Sequence, residues 1–255
     1  MDQRGRALQL EALLRLGDDN FILGHRISEW CGHAPTLEED LALPNIALDL
    51  IGHAQALYGM ASKLDLVSRD EDQLAFLRFE HEYKNLLLVE QDNGHFGNTV
   101  LRLFYFSTYM KMMWEKTKEA AALVDLKSFA VKAYNETVYH VRYSSEWVKR
   151  LGNGTHESNH KMLEATDNLA PFVGELFLED SFSREAEQRK ILPNVKSLLE
   201  DWKKEVFIVL DDSNLKLGDI SLQKHGGRRG IHTEAFGYIL SELQYLQRTF
   251  PNSKW

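Results

Sequence analysis

Leu43, Ala47, Leu50, Ala54, Leu57 and Ala61 recur at spacings of four and three, a period that only an α-helix turns into one apolar face. The stripe lies within the run EWCGHAPTLEEDLALPNIALDLIGHAQALY, residues 29–58. Thr36 followed three residues later by Glu39 has the spacing of a capping box, which satisfies the free N–H groups of a first helical turn. Pro44 falls in the second turn and is expected to kink the helix or shift its start.

The same periodicity covers most of the chain, and strand-like alternation is nearly absent. Breakers are few, with 5 Pro and 16 Gly in 255 residues. Helices are predicted over 6–30, 37–63, 70–91, 96–122, 128–151, 155–178, 195–210 and 233–248. A polar connection is predicted at 180–189 and irregular chain at 211–230. Long helices joined by short turns make an all-α fold, a four-helix bundle with additional C-terminal helices, in a single domain over 1–255.

Composition narrows the function. A formal net charge of −8 argues against nucleic acid and against anionic membranes as partners. No apolar run reaches the ~20 residues a membrane span needs. With no leader-like segment and the single Cys31, a soluble cytoplasmic protein is expected. Phosphate-binding Gly-rich fingerprints, Cys-x-x-Cys pairs and Gly-x-Ser-x-Gly elbows are missing, which removes nucleotide-dependent, iron–sulfur and serine-hydrolase chemistry.

One constellation has metal-site character. At about 100° per residue, His53 falls roughly 80° from the centre of the second helix's stripe, and Asp49 about 120° to the same side. In the 128–151 helix His140 and Glu136 flank Thr137 at roughly 60° and 100°. Two helices thus carry an acid and a His four apart on the same flank. Di-metal carboxylate bundles instead use Glu-x-x-His on two helices and one Glu on each of the other two. Here the positions three before the histidines are Leu50 and Thr137. Two iron ions bring about four to six positive charges into a low-dielectric core, and two imidazoles leave most of that charge uncompensated. A polar network without metal is the favoured reading. A di-metal oxygenase using Asp49, His53, Glu136 and His140 is the alternative.

These residues also carry a resemblance. The run GHAPTLEEDLALPNIALDLIGHAQALY, the segment Leu86–Gln91, Tyr139-His140 with Ser145-Glu146-Trp147, Arg150–Thr155 and the tail GIHTEAFGYILSELQYLQR resemble the PaaC family. Its members are ferritin-like subunits of the bacterial phenylacetyl-CoA epoxidase (phenylacetate-CoA oxygenase). The resemblance runs from about Leu16 to the C-terminus. It implies a ferritin-like bundle and a non-catalytic role beside a PaaA-like subunit that holds the di-iron site. It also implies a PaaB-like small subunit and a PaaE-like reductase with flavin, iron–sulfur centre and NADPH, for ring 1,2-epoxidation with O₂ in phenylacetate catabolism. Beside the PaaA pattern, His53 and His140 keep the imidazoles, while the carboxylate positions fall on Asn20, Leu50, Ser107 and Thr137. No cofactor is then expected on this chain. Self-association stays open.

Gly226-Gly227-Arg228-Arg229-Gly230 joins two cations to a flexible backbone. Arg228 and Arg229 suit the phosphates of coenzyme A. The competing reading docks the same loop on acidic residues of this chain or a partner.

Overall fold

The computed structural model describes residues 2–221, 224–251 and 253. Among them the fold is all-α, with ten α-helices and no strand, in keeping with the ferritin-like expectation. The chain divides into two compact units, residues 1–33, 38–92 and 226–255 in the first and 34–37 and 93–225 in the second.

In the first unit, α1 (Gln3–Ser28) starts where the Asp2 carboxylate accepts the Gly5 N–H at 2.6 Å. It runs antiparallel to α2 (Leu37–Ser62). Arg6 Nε donates to the Leu64 carbonyl at 2.9 Å, Gly17 faces Tyr58, and Gly24 faces Ala47 and Ile51. Gly24 is needed for that approach, since a methyl there would lie 2.9 Å from Ile51 Cγ1. Pro44 lies inside α2, which begins directly after Thr36 and continues unbroken to Ser62.

The predicted helix over 70–91 is not one helix. It breaks into α3 (Glu71–Phe76), a 3₁₀ turn at Glu80–Glu82 and α4 (Leu87–Glu90). The cause is competition for backbone donors. Lys84 N–H goes to Asp18 Oδ2 at 2.7 Å and Leu86 N–H to Asp19 Oδ1 at 2.8 Å. With both carboxylates on α1, the chain from Tyr83 to Leu86 runs extended along that helix. A C-terminal strap, Gly226–Thr233, then leads into α10 (Glu234–Thr249). A methyl on Gly227 would lie 2.0 Å from the Asn85 carbonyl oxygen, so only glycine lets the strap lie this close.

In the second unit, α5 (Phe96–Ala120) is buried without interruption from Gly97 to Met110. It pairs antiparallel with α6 (Val124–Gly152), Phe96 meeting Trp147 edge-on at 5.0 Å and Trp114 meeting Phe129 at 5.5 Å. α6 starts four residues earlier than its predicted Ser128. Thr155 caps α7 (His156–Val173), its hydroxyl accepting the Ser158 N–H at 3.1 Å. That helix gives way to a 3₁₀ turn at Gly174–Phe177. The polar 180–189 segment is itself helical: Asp180 and Ser183 close a reciprocal capping box on α8 (Ser181–Gln188). α9 (Leu199–Asp211) lays Trp202 against α5, its indole N–H donating to the Tyr105 carbonyl at 3.0 Å. Beyond Asp211, the last residue of α9, the irregular segment expected to 230 is free of α-helix among its described residues; Leu222 and Gln223 lie outside them.

His25 on α1 packs edge-on against Phe21 at 4.5 Å, and burial pushes its imidazole down to about 4. The unfolded chain therefore takes up a proton that the folded chain refuses, and this side chain removes stability as pH falls from about 6.5 toward 4. Urea titrations are expected to show about 2 kcal/mol lost through His25 between pH 7 and pH 5. His25→Phe should flatten that part of the slope, and a variant with the wild-type slope would contradict the assignment.

Candidate functional site

Three polar residues occupy successive positions in the middle of apolar α1: Asp18, Asp19 and Asn20, exposed by 0%, 0% and 1%. At about 100° per residue they fan around the helix and meet three different neighbours. Each must find a partner there, because a buried carboxylate without one costs several kcal/mol.

Asp18 is held by Arg78, itself buried, which donates through Nη1 at 3.0 Å and through Nη2. The Tyr58 hydroxyl donates to Asp18 at 2.6 Å and the Lys84 N–H completes the set. Burial and the adjacent Asp18 carboxylate push the Tyr58 phenol well above its ordinary value. Arg78 donates further to the Leu74 and Glu82 carbonyls and lies 4.1 Å from the Tyr83 ring centre. Its guanidinium stays protonated, since Asp18 more than offsets the burial that opposes the charge.

Asp19 is held by Arg228 from the strap, Nη1 to Oδ1 at 3.1 Å and Nη2 to Oδ2 at 2.7 Å. Arg228 Nη1 also donates to the Arg15 and Lys84 carbonyls, at 3.2 and 2.7 Å. This geometry is the docked loop of the competing sequence reading. The guanidinium expected to meet coenzyme A phosphate is engaged inside the chain, whereas Arg229 is exposed.

A third buried carboxylate, Glu90, organises the rest of the strap. It accepts from Asn85 Nδ2 at 2.8 Å, the Thr233 N–H at 2.6 Å, the Thr233 hydroxyl at 2.8 Å and His232 Nδ1 at 2.8 Å. Arg26 on α1 joins the same junction through the Glu90 and Ala235 carbonyls, 2.9 Å each from Nη2.

Asn20 and His53 are the sequence-predicted positions that meet. Asn20 Nδ2 donates to the Leu16 carbonyl at 2.8 Å, which leaves its oxygen 3.3 Å from His53 Nδ1. The amide thereby places the imidazole hydrogen on Nδ1. His53 and Leu50 are buried and Asp49 is half-buried. In the second unit Ser107, Thr137 and His140 are buried, and the Ser144 hydroxyl donates to the His140 carbonyl at 2.7 Å. Glu136 is half-buried and pairs at 3.4 Å with Lys132, whose side chain is 71% exposed.

The donors do not fit two iron ions. The positions that the resemblance gives to carboxylates hold an amide and an alkyl group in the first unit, Asn20 and Leu50, and two hydroxyls in the second, Ser107 and Thr137, none of which carries negative charge. Among the described residues no three or more His, Cys, Asp and Glu side chains gather as a metal ion requires. The buried polar residues that do converge, Asp18, Asp19, Arg78, Glu90 and His232, escaped the sequence reading. Their signal was the Asp18-Asp19 doublet amid LGDDNFILG, a charge pair no solvated helix face explains.

Two comparisons bear on identity. A family model described as phenylacetic acid catabolic protein matches residues 1–255. A 1,2-phenylacetyl-CoA epoxidase component of Escherichia coli (strain K12) is 40% identical over 242 residues, covering 95% of this chain and 97% of that protein.

The paired charges generate a double-mutant test. Asp19→Ala is expected to cost about 3–5 kcal/mol in urea unfolding, because it strands Arg228 against α1. Asp19→Ala with Arg228→Ala should cost clearly less than the sum of the two single changes. Strict additivity would show that the two side chains are not coupled.

Proposed function

The chain belongs to the phenylacetic acid catabolic protein family, and from that premise we propose that it is a structural, non-catalytic subunit of a phenylacetyl-CoA epoxidase. In this role it pairs with and stabilises a PaaA-like subunit whose di-iron centre epoxidises the ring of phenylacetyl-CoA with O₂. The assembly also takes a PaaB-like small subunit, and a PaaE-like reductase delivers electrons from NADPH through flavin and an iron–sulfur centre. The setting is the cytoplasm; among the described residues no helix is long and apolar enough to cross a membrane.

The observation that carries the reading is the surroundings of His53. A ligand imidazole in a di-metal bundle needs carboxylates at hand to balance the metal charge. His53 has a neutral amide, Asn20, at its Nδ1, and of the residues one turn earlier on its own helix Leu50 is buried while the carboxylate, Asp49, is half-buried. Asp18, Asp19 and Glu90, carboxylates with no exposed surface, are engaged with Arg78, Arg228 and His232. They stiffen the fold and are not offered to a metal. The alternative, an oxygenase acting through Asp49, His53, Glu136 and His140, requires Glu136 to leave Lys132 and turn inward.

Metal content tests the reading. The chain purified alone from iron-supplemented culture is expected to carry iron, manganese and zinc each far below one per chain. About two metals per chain, lost on His53→Ala or His140→Ala, would overturn it and make this chain the oxygenase.

A further inference from the structure

The outward side of α2 is apolar, although a helix between a core and water ordinarily turns charge outward. Leu37, Leu41 and Leu48 are 72%, 61% and 66% exposed. At about 100° per residue they share one arc with Gly52 and Gly59. The polar residues on that arc are Gln55 and Ser62, and none is charged. Ser62 turns its hydroxyl back to the Gly59 carbonyl at 3.0 Å, and neighbouring Asn45 donates to the Leu41 carbonyl at 2.8 Å. The outer side of α6 differs: Val124, Val131 and Val138 share their arc with Asn135 and Arg142, as a solvated face does.

The order of these residues along α2 is self-complementary. Leu48 and Gly52 stand two residues either side of Leu50, and Leu41 and Gly59 stand nine either side. A two-fold axis level with Leu50 therefore sets Leu41 and Leu48 of one copy over Gly59 and Gly52 of an antiparallel second copy. Gly52 has nothing within 4 Å of where a Cβ would be, and Gly59 has only the Glu71 carboxylate at 3.7 Å. The hollow at Gly52 is open, and the Glu71 carboxylate borders the one at Gly59. The charges at the ends match as well. Glu38 lies twelve residues before Leu50 and Lys63 thirteen after, both exposed, so the same axis brings each copy's Glu38 to the other's Lys63. An isologous interface needs this kind of self-matching surface.

We propose that two copies of this chain associate through the outer face of α2, antiparallel about a two-fold axis at Leu50. Leu41 and Leu48 seat on Gly59 and Gly52, and Glu38–Lys63 pairs close both ends. The inference stands apart from the subunit role proposed above, and either can fail without the other.

Sedimentation equilibrium on the full chain, free of other subunits, tests it. The wild type is expected to be a dimer at micromolar concentration, and Leu41→Glu with Leu48→Glu a monomer with unchanged helical circular dichroism. Gly52→Leu gives the sharper result. It removes a helix-interior glycine and adds apolar surface, so a merely sticky patch would associate more strongly. Filling the hollow should instead weaken the dimer by about tenfold or more while the monomer unfolds at higher urea. A monomeric wild type, a dimer that survives the double glutamate change, or tighter association of Gly52→Leu each overturns the proposal. A wild type that is monomeric alone, with Leu48→Glu blocking only a PaaA-like subunit, would assign the face to that partner instead.

Discussion

Two adjacent carboxylates on one buried helix, Asp18 and Asp19, set the terms for the first unit. Neither can stay ionised inside α1 without a cation, and their side chains point in different directions, so one cation cannot serve both. Arg78 meets Asp18 and Arg228 meets Asp19. These two arginines lie 60 and 209 residues along the chain from their partners. Each pairing closes a long loop of sequence against the same two turns of α1.

Much of the local structure follows from that closure. Because Asp18 and Asp19 also accept the N–H groups of Lys84 and Leu86, the chain from Tyr83 to Leu86 lies extended along α1. That path leaves Glu90 buried beside the strap, where it takes Thr233 and His232 and fixes the start of α10. Gly227 is the steric counterpart of Arg228: its missing side chain lets the strap touch Asn85 while the arginine reaches Asp19. The interior of this unit is highly polar for a helical protein, yet its charges are matched within the chain. Charge matched in this way gives rigidity and a defined register, and supplies no open ligand for a metal.

The sequence made the long helices legible because their signal is local. The Leu43–Ala61 stripe and the Thr155 cap are contained within their own segments, and both appear as read. The stretch 70–91 has helical periodicity too, but its conformation is decided by Asp18 and Asp19, some sixty residues earlier, and no window around it contains them. SFSREAEQ looked like a connection because its composition is polar; its capping box with Asp180 was the overlooked cue. At the candidate site, spacing puts Leu50 and Thr137 where a di-metal bundle has carboxylates, and the resemblance alone adds Asn20 and Ser107. The role of Arg228 could not, since a cation in a glycine loop looks the same whether it awaits a phosphate or already holds an aspartate.

The central claim is that the two retained imidazoles belong to the scaffold and not to the oxygen chemistry. Its most direct test is turnover by the reconstituted epoxidase complex with both His53→Gln and His140→Gln in this chain. Epoxide formed per PaaA-like partner, coupled to NADPH consumed, should stay within about twofold of wild type once equal assembly is verified. A fall of about a hundredfold or more in kcat with the complex intact would place these histidines in the reaction and contradict the account.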